Sequence, residues 1–169
     1  AEVVRAYWQN KKIEVHIMSK TPSIWLDDLI PYVDIIYLHP TMDENFSEVI
    51  DKINSNGVKA GIALSVNEPF EIIDTYIANG KVKNVLFLTI PLPGFSGQKF
   101  DAQALPLLEN LNRHKNRSKF EICVDGGVNN LTVKYLTVES VVSGSYILSA
   151  SNPIKNIMHL QTSGEYAEY

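Results

Sequence analysis

The sequence predicts a parallel α/β fold built from repeated βα units, on three observations. Apolar runs of strand length alternate with helical patterns along all 169 residues. Most of those runs are continuous rather than alternating, as strands covered on both faces require. Cap and turn residues fall between them, so each run has a start and a stop.

Taken in order, residues 1–10 read as the back half of a helix, and residues 13–18 as the first strand. Thr21-Pro22 supplies an N-cap and a first-turn proline, before a stripe of Trp25, Leu26, Leu29 and Ile30. After a second strand at 33–38, Phe46, Val49, Ile50 and Ile53 recur at helical spacing, and Gly57 stands where that helix stops. Residues 59–64 form the third strand. Asn67-Glu68-Pro69 then opens a helix with Phe70, Ile73 and Ile77 on one face and Gly80 at its end. A fourth strand at 84–90 precedes a helix marked by Leu105, Leu108 and Leu111. Strands at 120–124 and 138–142 follow, Ser151-Asn152-Pro153 opens a last helix, and residues 164–169 read as a polar tail.

No linker or low-complexity tract interrupts this pattern, so residues 1–169 are read as one domain. Right-handed βαβ crossovers allow two architectures: an open doubly wound sheet, or six of the eight units of a barrel. A complete barrel needs roughly 200–250 residues. The barrel reading therefore expects two more strands before Ala1, and a first helix without a beginning agrees with that expectation.

Composition narrows the function classes. A hydrophobic fraction of 45%, a charged fraction of 20% and a net charge of -4 are those of an ordinary globule. They argue against nucleic acid or an anionic membrane surface as the main partner, and the basic residues are scattered. The lone Cys123 lies in an apolar run, which excludes an internal disulfide framework and reads as an inert buried thiol. No run reaches membrane length and no signal peptide precedes the first strand, so a soluble cytoplasmic protein is expected.

In both architectures ligands bind beyond the C-terminal ends of the strands. Three of those ends are rich in glycine or small hydroxyl residues: Gly94/Ser96/Gly97, Gly126/Gly127 and Ser143/Gly144/Ser145. Such loops let backbone N–H groups approach an anion, and together they read as a phosphate cradle. Two polar groups stand out beside them. His16 sits between Val15 and Ile17 and is expected to point opposite to both. Asp125 follows an apolar strand, where a carboxylate is costly unless it meets a cation, a donor or water.

These residues belong to a recognisable set. Glu14-Val15-His16-Ile17-Met18, Lys59-Ala60-Gly61-Ile62-Ala63-Leu64, Pro93-Gly94-Phe95-Ser96-Gly97-Gln98-Lys99-Phe100, Val124-Asp125-Gly126-Gly127-Val128 and Val142-Ser143-Gly144-Ser145 occur in one order. The chain thereby resembles the ribulose-phosphate 3-epimerase family over nearly its whole length. The resemblance implies a parallel (β/α)8 TIM barrel of the ribulose-phosphate-binding type, with six of eight βα units visible. It implies one divalent metal ion (zinc, iron, manganese or cobalt), with His16 and Asp125 among its ligands and Asp125 also as a catalytic acid/base. The reaction implied is epimerisation at C3 of ribulose or xylulose 5-phosphate through an enediolate. Gly94, Ser96, Gly97, Gly126, Gly127, Gly144 and Ser145 are implied to grip the phosphate, Met18 to form a pocket wall, and the protein to assemble as a homo-oligomer. His39 matches a strand-end histidine that is not a ligand.

The sequence departs from the family's pattern in four places. The strand with a His-x-Asp pair, which carries the other two ligands, would lie before Ala1. The segment from Thr89 to Gly94 is one residue longer than usual, with Pro91-Leu92 at an acidic or polar position and Leu88 at a usual methionine. Ser96 replaces a glycine, and the link from Asp125 to Ser145 is short. These departures keep open two alternatives, a 3-epimerase of another ketose phosphate such as a hexulose 6-phosphate, and a non-catalytic phosphosugar-binding barrel.

Overall fold

The computed structural model describes residues 1–68, 70–95 and 97–165. Its strands are β1 (Glu14–Ile17), β2 (Ile35–Leu38), β3 (Lys59–Ser65), β4 (Asn84–Leu88), β5 (Glu121–Asp125) and β6 (Ser140–Val142). They pair in the order β1-β2-β3-β4-β5-β6, and the β1–β2, β2–β3 and β5–β6 ladders are parallel. A doubly wound sheet reverses its order at a switch point. Strand order equal to chain order decides for the (β/α)8 class and against the open sheet.

Every residue of β2 and β4 is buried, as is most of β3 and β5. That is why these runs read as continuously apolar. The two end strands, each with one neighbour, are less covered.

The helices are α1 (Glu2–Tyr7), α2 (Ser23–Leu29), α3 (Phe46–Ser55), α4 (Ile72–Ala78), α5 (Ala104–Asn112), α6 (Ser145–Leu148) and α7 (Pro153–Glu165). In α3 the four predicted apolar residues are buried. Asn45 caps the helix, its side chain accepting from the Ser47 and Glu48 amides and donating to Glu48 Oε1 at 2.8 Å. Asn152 does the same for α7, accepting from the Lys155 amide at 3.1 Å.

Helix α2 differs from expectation. Pro22 occupies the N-cap in helical backbone conformation and Thr21 makes no cap bond. The Ser23 amide is satisfied instead by Glu44 Oε2 at 3.0 Å, from a loop distant in sequence. Trp25 is 50% exposed, so the buried stripe narrows to Leu26. Helix α4 begins at Ile72, with Ile73 and Ile77 buried, and Pro69 lies outside the described residues. Between β5 and β6 the described residues form a 3-10 turn, Val133–Tyr135, and no α-helix, in keeping with the short link there.

The chain divides into two compact units. The first comprises Ala1–Leu64, Pro69–Leu86 and Ser118–Phe120; the second comprises Ser65–Glu68, Phe87–Arg117 and Glu121–Tyr169. In the first, Asp34 joins α1 to the strand starts. Its Oδ2 accepts from the Ile13 amide at 2.7 Å and pairs with Arg5 at 2.6 Å, and Arg5 Nε also donates to Tyr32 O. The Ile13 amide, followed by Arg5, holds the Asp34 carboxyl below its ordinary range. In the second, Glu139 accepts from the Ile122 amide at 2.7 Å and pairs with Arg117 at 2.6 Å, fixing β6 beside β5. Burial works to raise the Glu139 carboxyl, but the Ile122 amide and Arg117 outweigh it and the net shift is downward. Among the described residues no helix is long and apolar enough to cross a membrane.

Candidate active site

The first unit carries a pair of imidazoles. His16 stands in β1 opposite Tyr37 of β2, and His39 lies two residues beyond Tyr37 on the same side of the strand line. Their Nε2 atoms face each other at 2.9 Å, with ring centroids 4.9 Å apart and planes tilted by 40°. Both rings are half-buried. Glu14, on the same face of β1, accepts from the Tyr37 hydroxyl at 2.9 Å and pairs with Lys12 at 2.6 Å. Met18, just past β1, is 57% exposed.

The second unit carries the carboxylate and the glycine-rich ends. Asp125 closes β5, and its carboxyl is raised above the ordinary range by burial. The backbone around it is tied down by Thr89, which is fully buried. The Thr89 amide donates to Asp125 O at 2.8 Å, and its hydroxyl donates to Gly126 O at 2.6 Å. Thr89 O in turn accepts from the Asp101 amide at 2.8 Å. Sequence reading gave Thr89 no role; a hydroxyl ending an otherwise apolar strand is the signal that marks it.

The two glycines after Asp125 have a packing reason as well as a chemical one. Gly127 has φ +67°, and a Cβ on it would stand 2.3 Å from Phe100 N. Gly126 has φ +125°, and a Cβ there would meet Ile90 Cγ2 at 2.7 Å. Their backbone thus runs against the loop that follows β4. That loop is stapled by Gln98, whose side-chain amide donates to Leu92 O and Phe95 O and accepts from the Leu92 amide.

Gly94 and Gly97 lie on this loop and are exposed; Ser96 lies outside the described residues. Gly144 precedes α6 and Ser145 begins it, both exposed, while Ser143 donates to Val128 O at 2.7 Å. Cys123 is buried inside β5. His114 accepts from the Asn116 amide and His159 meets the Tyr146 hydroxyl, so both are engaged locally.

Imidazole and carboxylate are donor types that a divalent ion accepts. Among the described residues, no group of three or more His, Cys, Asp or Glu side chains is gathered to hold one.

A model of the ribulose-phosphate 3 epimerase family matches residues 1–148. The chain belongs to the ribulose-phosphate 3-epimerase family. The ribulose-phosphate 3-epimerase of Bacillus subtilis strain 168 is 30% identical over 159 residues, covering 89% of this chain and 71% of the relative. That of Escherichia coli K12 is 32% identical over 150 residues, 85% of this chain and 65% of the relative. That of Rhodospirillum rubrum is 31% identical over 118 residues, 69% of this chain and 51% of the relative. The matches therefore span between about half and about seven tenths of those epimerases' length.

Solved structures agree on the fold. KGPDC from Streptococcus mutans in complex with D-R5P superposes with a TM-score of 0.71 at 14% identity, covering 99% of this chain and 78% of that one. The 3-keto-L-gulonate-6-phosphate decarboxylase from Vibrio cholerae O1 gives 0.73 at 10% identity, over 96% and 76%. At such identities the likeness speaks for the fold alone. Family membership accounts for the motifs at the strand ends.

Proposed function

We propose that the chain is a ketose-phosphate 3-epimerase that interconverts ribulose 5-phosphate and xylulose 5-phosphate. Membership of the epimerase family carries this reading. It is supported by Asp125, a carboxylate at a strand end whose proton affinity burial has raised. A general acid/base works best when its pKa is moved toward the working pH. Asp125 would remove or deliver the C3 proton on one face of the substrate, and inversion at C3 requires a second acid/base group to act on the opposite face.

His16 and Asp125 would serve as ligands of a divalent ion. When bound, that ion would draw electron density from the substrate's oxygens and so acidify C3. Backbone N–H groups at Gly94, Ser96, Gly97, Gly126, Gly127, Gly144 and Ser145 would bind the phosphate, and Met18 would flank the sugar. We place the enzyme in the cytoplasm, acting on a small sugar phosphate.

The direct test is Asp125→Asn, which keeps shape and removes the base. Coupled detection of xylulose 5-phosphate should show kcat reduced by about 10²–10⁴-fold, and treatment with a chelator should reduce turnover of the unsubstituted enzyme. Unchanged turnover in a metal-free Asp125→Asn protein would refute the assignment.

A further inference from the structure

We infer that Thr89 is a positioning residue: it turns the backbone after β5 so that the N–H groups of Gly126 and Gly127 face one way, toward the substrate's phosphate. The inference rests on the phosphate-binding part of the proposed function. It adds the side chain on which that part depends.

Two successive carbonyls converge on Thr89. Its amide donates to Asp125 O at 2.8 Å, and its hydroxyl donates to Gly126 O at 2.6 Å, with Asp125 O 3.2 Å from the same hydroxyl. In a trans peptide the C=O and the N–H of the next residue point in opposite directions. No cis peptide bond occurs among the described residues. The N–H groups of Gly126 and Gly127 therefore both point away from Thr89. Two neighbouring N–H groups on one side of the chain form an anion-binding concavity, and the backbone must reverse its hand to make one. Gly126 at φ +125° and Gly127 at φ +67° supply that reversal, in a region that L side chains rarely adopt.

Thr89 is placed to hold this arrangement. It is fully buried, and its own carbonyl accepts from the Asp101 amide at 2.8 Å, so the loop after β4 anchors it. Gly126 is buried and Gly127 is half-buried. A buried carbonyl that loses its donor is costly. The peptide that turned to relieve that cost would carry the Gly127 N–H with it.

The test follows the backbone amides of nitrogen-15-labelled protein by NMR during a titration with inorganic phosphate. In the unsubstituted protein the Gly126 and Gly127 signals should shift together. Thr89→Val keeps the branched shape and removes the hydroxyl; it should weaken phosphate binding about tenfold or more. Thr89→Ser restores the hydroxyl and should recover the affinity. Equal affinity in Thr89→Val, or no recovery in Thr89→Ser, would overturn the positioning role while leaving the phosphate grip in place. Movement of only one of the two signals in the unsubstituted protein would overturn it as well, without any variant having to fold. If neither signal moves, the phosphate grip of the proposed function fails and this inference fails with it.

Discussion

In the proposed reaction Asp125 carries acid/base chemistry, and its burial also bears on how its protonation contributes to stability. Burial raises its carboxyl above the ordinary value of 3.8. Such a group favours the folded state while protonated; the benefit is complete below the unfolded value and is lost as pH rises through the folded one. In metal-free protein, Asp125→Asn should therefore be at least as stable as the parent at neutral pH and should lose the parent's decline between acid and neutral pH. Thermal melts across that range check this, and a parent whose stability rises from acid to neutral pH relative to the variant would contradict it. Gly127 makes the complementary point about space. With φ +67° and Phe100 N 2.3 Å from a would-be Cβ, Gly127→Ala should cost at least about 2 kcal/mol in a denaturant titration. An alanine variant of parental stability would show that the β5 end is not held against the loop.

At the scale of elements, what sequence made legible was whatever depends on periodicity. Helix α3 shows its four buried residues at 46, 49, 50 and 53, and β2 and β4 show unbroken apolar runs because both faces are covered. Contacts between elements distant in sequence left no such mark. The start of α2 is secured by Glu44, 21 residues from Ser23, so a local cap motif at Thr21 misled. The Asn45 cap is local, and its effect is calculable: Asn45→Ala should destabilise by about 1 kcal/mol, read as a shifted denaturation midpoint with unchanged slope. No shift would mean the cap is redundant with the packing of α3. The same distinction explains the site. Asp125, His16 and the glycines were visible as residue types at strand ends, whereas Thr89 and the 2.9 Å approach of His39 to His16 depend on register between strands.

For the molecule as a whole, strand order equal to chain order and family membership give a coherent reading of a chain of net charge -4 with no basic stripe. We propose, as the family resemblance implies, that the protein assembles as a homo-oligomer; Tyr7 of α1, Trp8 just after it, and Ile154 and Met158 of α7 are exposed apolar residues. Light scattering should give a mass at least twice that of one chain, and the mass of a single chain would contradict assembly. Epimerisation at C3 exchanges the proton on that carbon. Incubating the protein with ribulose 5-phosphate in D2O and following the sugar by NMR tests this directly. The product should be xylulose 5-phosphate carrying deuterium at C3; deuterium entering only at C1, or no exchange at all with intact metal-loaded protein, would rule out C3 epimerisation.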